Sequence, residues 1–391
     1  MIKAALIGVS GYGKVIYDMC QPSIKNGKME MSAMVIRTPS KVPDVMKALE
    51  GSSCQIFSSA DEMFEVMNGK LDLVLIPTGI ETHASLSIAA MRSGAHVMVE
   101  KPAAGSVSEV EEMQKVSLET GKIVSVGFQD LYRPDILDIK RNLVSEKWGA
   151  LQGISVLGSW SRSKQYYTRN DWAGKEKNGD APVYDSPANN AFAHYLNLGL
   201  FLLGEDFAVS AEIKNLEADC RRAHEIETFD TIVARAMTDR GQYFRYAVTH
   251  VGEQEFEPEL MLQFDIGVLH MRHDENVICD GEGRVLERLR HDDVWAGRDR
   301  LIPMVLEAIR HGDAFYCDLE IAKAHTKFVE RVHETSLAVD FEDELISKEH
   351  RDGEDFLKVN ALVSTMKLAS SEGSNLDLLK TPLKVSQSIS T

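Results

Sequence analysis

The chain has 391 residues, 44% hydrophobic and 26% charged, the balance of a soluble globular protein long enough for two domains with separate cores. With 43 basic against 60 acidic residues the formal charge is −17, so the surface would repel a phosphate backbone, and no long basic run offsets this; a nucleic-acid partner is not expected. No window approaches the ~20 apolar residues of a membrane span. The opening MIKAALIGVSGYG runs into glycines with no cleavage site, and Cys20, Cys54, Cys220, Cys279 and Cys317 form no CxxC pair, so the expectation is a cytoplasmic protein with reduced thiols, no metal and no membrane partner.

Residues 3–7 read as a short apolar strand that feeds Gly8-Val9-Ser10-Gly11-Tyr12-Gly13, and a helix carrying Val15, Ile16 and Met19 follows. Strand, glycine turn and helix are the context of a dinucleotide fingerprint. Ser10 stands at the second glycine position of G-x-G-x-x-G and Gly11 is extra. Serine is small enough to let the backbone approach a pyrophosphate, and the helix N-terminus supplies donors and a positive dipole. The next strand, 31–36, ends in Arg37-Thr38-Pro39-Ser40-Lys41, where an NAD site would offer an acidic residue to the ribose 2′-hydroxyl. Arg37, with Thr38, Ser40 and Lys41 near it, could instead accept a 2′-phosphate, so NADP is favoured over NAD.

Apolar strands recur at 54–57, 71–76, 96–99 and 123–126, separated by helical patterns at 61–67, 83–91 and 109–118. That alternation predicts an α/β fold with a parallel, doubly wound sheet. Pro77-Thr78-Gly79 and Glu100-Lys101-Pro102 each follow one of these strands and fall on the carboxyl edge, where open sheets bind ligands. In GAHVMVEKP an apolar run ends abruptly, and Pro102 would stop the strand and fix the backbone of Lys101, a candidate active-site lysine. Its plainer reading is a lysine at a solvated strand end.

After Gly127 the pattern changes. A helix at 135–146 precedes long alternating segments at 151–160, 208–218, 228–237, 243–250 and 260–271, with few helices between the later ones. This predicts an α+β domain whose antiparallel sheet has one covered face, and a hairpin turn at Asp280-Gly281-Glu282-Gly283. The chain then divides into a dinucleotide-binding domain, 1–125, and a second domain, 126–391. A polar and aromatic stretch between the first long strand and a helix near 190 is too long for a simple connection. On that helix Asn190, His194 and Asn197 are spaced to share a face. Further helices are expected at 301–309, 319–332 and 356–368, with His325 and His333 as packing or surface residues and an extended tail from Ser370.

The glycine turn, DLVLIPTGIETHASLSIAAMRSGAHVMVEKP from Asp72 and VGFQDLYRP from Val126 together resemble the glucose-fructose oxidoreductase, inositol dehydrogenase and rhizopine-catabolism (Gfo/Idh/MocA) family. The resemblance implies a Rossmann domain followed by a substrate-binding, oligomer-forming sheet, hence a homo-oligomeric dimer or tetramer. It implies an NAD(P)-dependent oxidoreductase acting on a CH–OH group of a sugar, polyol or sugar derivative, with Lys101 beside the nicotinamide and His194 as its general acid/base partner. Cofactor contacts would come from Gly8, Ser10, Gly11, Tyr12, Gly13, Arg37, Thr38, Pro77, Thr78, His83, Glu100, Lys101 and Gln129; the plainer reading of His83 is a solvent-facing residue at a helix start. Substrate contacts would come from Lys101, Gln129, Arg162, Tyr167, Arg169, Trp172, Asn190 and His194.

Three residues depart from the family pattern: Asn190 and Asn197 replace aspartates, and Leu131 replaces an arginine. An asparagine cannot take a proton. Two other readings therefore stay open, a glycosidase or lyase that oxidises its sugar transiently on a retained nicotinamide, and a catalytically silent ligand-sensing regulator. The local excess of Arg162, Lys164, Arg169, Lys175 and Lys177 over Asp171, Glu176 and Asp180, interleaved with Tyr166, Tyr167 and Trp172, points to a carbohydrate bearing a carboxylate or phosphate, with Arg162 or Arg169 on the anion.

Overall fold

The computed structural model describes residues 1–370. They form two compact units, Met1–Leu137 with Asp292–Thr326, and Asp138–His291 with the chain from Lys327. The first unit thus runs past the expected boundary at residue 125 and recovers a later segment that the sequence pattern assigned to the second domain.

In the first unit, strands β1 (Ile2–Ile7), β2 (Met29–Val35), β3 (Gln55–Phe57), β4 (Leu73–Ile76), β5 (His96–Val99) and β6 (Val124–Val126) pair in the order β3-β2-β1-β4-β5-β6. Every pairing is parallel. β4 is buried along its whole length, which explains why these strands read as continuous apolar runs and not as alternation. The connecting helices are α1 (Tyr12–Lys25), α2 (Pro43–Ala48), α3 (Ala60–Val66), α4 (Ile80–Arg92) and α5 (Val107–Thr120). Ser106 and Glu109 form a capping box at the start of α5, and Gly121 ends it with φ 66°. α6 (Pro134–Val144) leads out of this unit.

The second unit is a nine-stranded mixed sheet. β7 (Gly153–Ser159) is followed by a two-residue ladder, β8 (Lys177–Asn178) with β9 (Ala181–Pro182), then α7 (Ala193–Leu203). Next come β10 (Ile213–Arg222), β11 (Thr231–Thr238), β12 (Tyr243–Thr249), β13 (Phe256–Phe264), β14 (Gly267–Met271), β15 (Asn276–Cys279) and β16 (Val285–Leu289). α8 (Val294–His311) and the start of α9 (Leu319–Thr335) belong to the first unit, and β17 (Ala338–Asp340) closes the sheet in the order β16-β15-β14-β13-β7-β12-β11-β10-β17. Pairings are antiparallel except β12 with β7 and β10 with β17.

α7 covers one face of this sheet. Two glycines allow the close approach: a Cβ on Gly158 would meet the Phe192 ring at 2.7 Å, and one on Gly199 the Phe244 ring at 2.7 Å. On the other face Leu157, Val233 and Ala247 pack with Leu357, Val359, Leu362 and Met366, so part of that face is covered too. The covering elements are β18 (Ile346–Arg351), β19 (Glu354–Val359) and α10 (Leu362–Ala369). They replace the helix expected over 356–368. Phe356, Val359, Val363 and Met366 do follow a helical spacing, but Asp352 and Gly353 turn with φ 54° and 81°, and Ala361 at φ 58° separates strand from helix. The strand expected from 208 starts only at Ile213. The tail expected beyond Ser370 lies outside the described residues.

Candidate active site

In the first unit the glycine turn is held by contacts that only glycine permits. Gly8 and Gly11 have φ of 85° and 58°. A Cβ on Gly13 would strike the carbonyl oxygen of Gly8, and one on Gly8 would lie 3.5 Å from Thr78 Cγ2. The turn therefore rests against the loop after β4, leaving room on its open side. A cleft of about 510 Å³ runs from Gly8, Val9 and Ser10 past Pro77, Thr78 and Gly79 to Arg37, Thr38 and Lys41 at the end of β2. Its cradle, size and donors fit a dinucleotide. Glu81 also lines it, with one buried carboxylate oxygen that has no hydrogen-bond partner. An acidic group, absent from the end of β2, thus enters the same cleft from α4, 44 residues downstream of Arg37 in sequence, where no strand-end rule would look.

A second group of side chains gathers beside β5 and β6. Gln129 donates from Nε2 to Tyr12 Oη (2.9 Å) and to Glu100 Oε1 (3.0 Å), while the Lys101 N–H donates to Glu100 Oε2 (3.2 Å). Gly127 is required by the same packing, because a Cβ there would overlap the Glu100 carboxyl. Burial pushes Glu100 up to about 7; the Lys101 charge, the Lys101 N–H, the Arg298 charge and the Gln129 hydrogen bond hold it from rising further. Burial, then the nearby Glu100 charge, pushes the Tyr12 phenol up as well. The Lys101–Pro102 peptide is cis.

His83 does not face solvent. It is fully buried, with Nδ1 2.7 Å from the Pro102 carbonyl oxygen and Nε2 3.1 Å from that of Thr78. Both ring nitrogens are committed to backbone, so the side chain braces the Thr78 loop against the Lys101-Pro102 loop. Burial lowers its pKa, which keeps the ring neutral, so it donates to one carbonyl at a time. Leu131 is buried in the core of this unit, as its apolar character requires.

In the second unit the long segment after β7 folds as a 3₁₀ turn, Lys164–Thr168, and a connection organised by Asp185. Asp185 is almost fully buried and accepts from Arg169 Nη2 (2.9 and 3.1 Å), the Gly174 N–H (2.7 Å) and Asn190 Nδ2 (2.8 Å). The Arg169 guanidinium also lies over the Tyr166 ring, Cζ 3.9 Å from its centroid. Arg169 is thus a structural ion-pair partner, and the expectation that it holds a substrate anion is withdrawn. Arg162 differs: its Nε is buried with no hydrogen-bond partner, and its Cζ sits 5.2 Å from the Tyr166 centroid.

Asn190 lies in the turn before α7, not on the helix, so the expected shared face of Asn190, His194 and Asn197 does not form. His194 is half-buried in the first turn of α7, and Asn197 is fully buried. Tyr167 Oη is 2.9 Å from His250 Nδ1. Trp172 lies under Arg169, 5.1 Å from Cζ to centroid. His250, at the end of β12, was not anticipated, nor was the neighbouring His224–Asp230 pair at 2.9 Å. Burial, then the charges of Arg162 and His224, holds His250 well below the usual imidazole range. Alternation along β12 points His250 inward, and that is the only signal the sequence carried for it.

The cysteines Cys20, Cys54, Cys220, Cys279 and Cys317 are unpaired. Among the described residues no helix is long and apolar enough to cross a membrane, and no group of three or more His, Cys, Asp or Glu side chains could hold a metal.

Strand order β3-β2-β1-β4-β5-β6, a glycine turn after β1 and a cleft on the carboxyl edge define a dinucleotide-binding protein of the Rossmann class. Residues 2–128 match the GFO_IDH_MocA family, described as an oxidoreductase family with an NAD-binding Rossmann fold. The chain is 24% identical over 301 residues, 72% of this chain and 83% of the relative, to the uncharacterized oxidoreductase YdgJ of Escherichia coli (strain K12). It is 28% identical over 153 residues to the NADP-dependent scyllo-inositol 2-dehydrogenase IolW of Bacillus subtilis (strain 168), covering 39% of this chain and 40% of that protein.

Among solved structures the fold is shared with the WlbA dehydrogenase of Bordetella pertussis, in complex with NADH and UDP-GlcNAcA, at TM-score 0.68 and 19% identity, covering 85% of this chain and 96% of that one. An inositol dehydrogenase homolog from Azotobacter vinelandii, complexed with NAD+, matches at TM-score 0.70 and 15% identity, covering 84% and 94%.

Proposed function

We propose that this NAD(P)-dependent oxidoreductase acts on a secondary alcohol of a sugar, polyol or sugar derivative, with Lys101 and His194 assisting proton transfer. The observation that carries the reading is the gathering of Gly8, Thr78, Glu100, Lys101 and Gln129 on one edge of the Rossmann sheet, with the family match of residues 2–128 behind it. Relatives named as inositol dehydrogenases and a structural neighbour bound to a nucleotide sugar support the substrate class. A nicotinamide bound in this cleft would supply the hydride acceptor or donor for the substrate carbon. The chain's own work is alignment and proton handling. The Lys101 ammonium orients the substrate hydroxyl and stabilises developing alkoxide charge; the His194 imidazole takes the hydroxyl proton during oxidation and returns it during reduction.

Arg37, Thr38 and Lys41 in the cleft support NADP, while Glu81 in the same cleft supports a free ribose 2′-hydroxyl and tempers that preference. A substrate anion, if present, is assigned to Arg162. The test is a dehydrogenase screen over neutral sugars, inositols and their carboxylate or phosphate counterparts with both cofactors. Arg37→Asp should shift preference toward NAD(H), and Arg162→Ala should remove any preference for the anionic substrate. Equal affinity for both cofactors in the wild type ends the NADP assignment; no activity on any hydroxylated substrate ends the main reading.

A further inference from the structure

The first turn of α8 carries Trp295 and Arg298, residues that no sequence pattern ties to the dinucleotide cleft. α8 packs on α1 and on the 3₁₀ turn Gln129–Tyr132. The approach is close because residue 297 is glycine; a Cβ there would strike the Gln129 carbonyl oxygen. Asp293 fixes where the helix begins, accepting from the N–H groups of Trp295 (3.0 Å) and Ala296 (3.1 Å). Arg298 comes directly after the glycine, so its guanidinium reaches the Tyr12 phenol at the first residue of α1, and its charge is felt by Tyr12, Glu100 and Asp130. Its Cζ lies 4.6 Å from the centroid of Trp295, whose ring is 59% exposed. Among the described residues it makes no ion pair.

α1 has no acidic residue in its first turn and no side-chain cap, so the positive end of its dipole is uncompensated. The Arg298 guanidinium is held near this helix end by the Tyr12 phenol and by the charges of Glu100 and Asp130. The glycine turn at that helix end is built for a diphosphate, and an arginine fork matches phosphate oxygens in pairs. We propose that Arg298 is a diphosphate-binding residue of the dinucleotide site, held flat by Trp295 and brought to the glycine turn by α8. The proposal rests on the reading of that turn as a nicotinamide dinucleotide site.

The experiment compares ADP-ribose, which carries the diphosphate, with adenosine, which shares base and ribose but has no phosphate, by calorimetry or competition on the full chain. Arg298→Ala should weaken ADP-ribose by about tenfold or more, the scale of a lost charged hydrogen bond, and leave adenosine within about twofold, with Arg298→Lys in between. Unchanged ADP-ribose affinity in Arg298→Ala overturns the proposal. So does an equal loss for both ligands, which marks a structural role. Failure of the wild type to bind ADP-ribose at all overturns the dinucleotide reading itself and is recognised separately.

Discussion

Glu100 sits buried between a lysine, a glutamine and an arginine, and burial raises it to about 7, so its charge changes within the working pH range of most enzymes. A ribose hydroxyl that donates to this carboxyl needs the ionised form. Cofactor affinity should therefore rise with pH up to about 7 and level off above it. Glu100→Gln should flatten that profile, as read by cofactor titration between pH 5.5 and 8.5; an unchanged inflection in the variant removes Glu100 from the explanation. Lys101→Ala and His194→Ala should each lower turnover by about 10²–10⁴-fold while cofactor affinity stays within a few-fold. Near wild-type turnover in either variant removes that residue from the proposed chemistry.

Elements carry constraints that single residues do not reveal. The carbonyl of Gly8, the backbone of Gly13 and the Pro77-Thr78 loop occupy one another's space, so the turn after β1 and the loop after β4 form one surface. Gly13→Ala must push the Gly8 carbonyl outward or shift α1. The expected outcome is loss of measurable dinucleotide binding by fluorescence titration, with the second unit still folded by circular dichroism. Retained affinity would mean the cleft does not use this turn. In the second unit the loop of Arg162, Tyr166 and Arg169 is ordered by Asp185, and α7 is anchored at its far end by buried Lys140, which donates to the carbonyls of Phe201 (2.6 Å), Gly204 (2.7 Å) and Val209 (3.2 Å). The Phe201 carbonyl also accepts from the Gly204 N–H (3.1 Å), so Lys140 adds a second donor there and ties the helix end to the Gly204 and Val209 carbonyls that follow it.

Across the whole molecule, stability should depend on pH through buried histidines. His83, His250 and His333 are all held below the ordinary imidazole value, His333 at about 4 with burial as the cause. A folded-state pKa below the unfolded one gives stability that is present above about 6.5 and is lost as pH falls, because the unfolded chain binds protons that the fold refuses. Glu100 acts in the opposite sense, losing its contribution as pH rises from the ordinary carboxylate range through about 7. Burial also lowers His96 and raises Asp130 and Asp318; four histidines against three carboxyls predict a lower melting temperature at pH 5 than at pH 7 by differential scanning, and an equal or higher value at pH 5 contradicts the balance. The sequence by itself determined the parallel sheet, because strands buried on both faces must be apolar throughout, and the ligand edge, because Gly8–Gly13, Pro77-Thr78 and Glu100-Lys101 each interrupt such a strand. It also determined the mostly antiparallel sheet, whose alternation is read with period two. Tertiary structure alone decided that Glu81 lines the cleft beside Gly8 and Thr78, that Arg298 lies over Trp295, that His250 meets Tyr167, that His83 is a brace, that Arg169 belongs to Asp185 and that residues 356–368 are strand and then helix. Those outcomes depend on partners outside the element's own repeat, 16 residues away for Arg169 and Asp185, 19 for His83 and Pro102 and 83 for Tyr167 and His250, and local periodicity carries no information about which charge or carbonyl a side chain will meet.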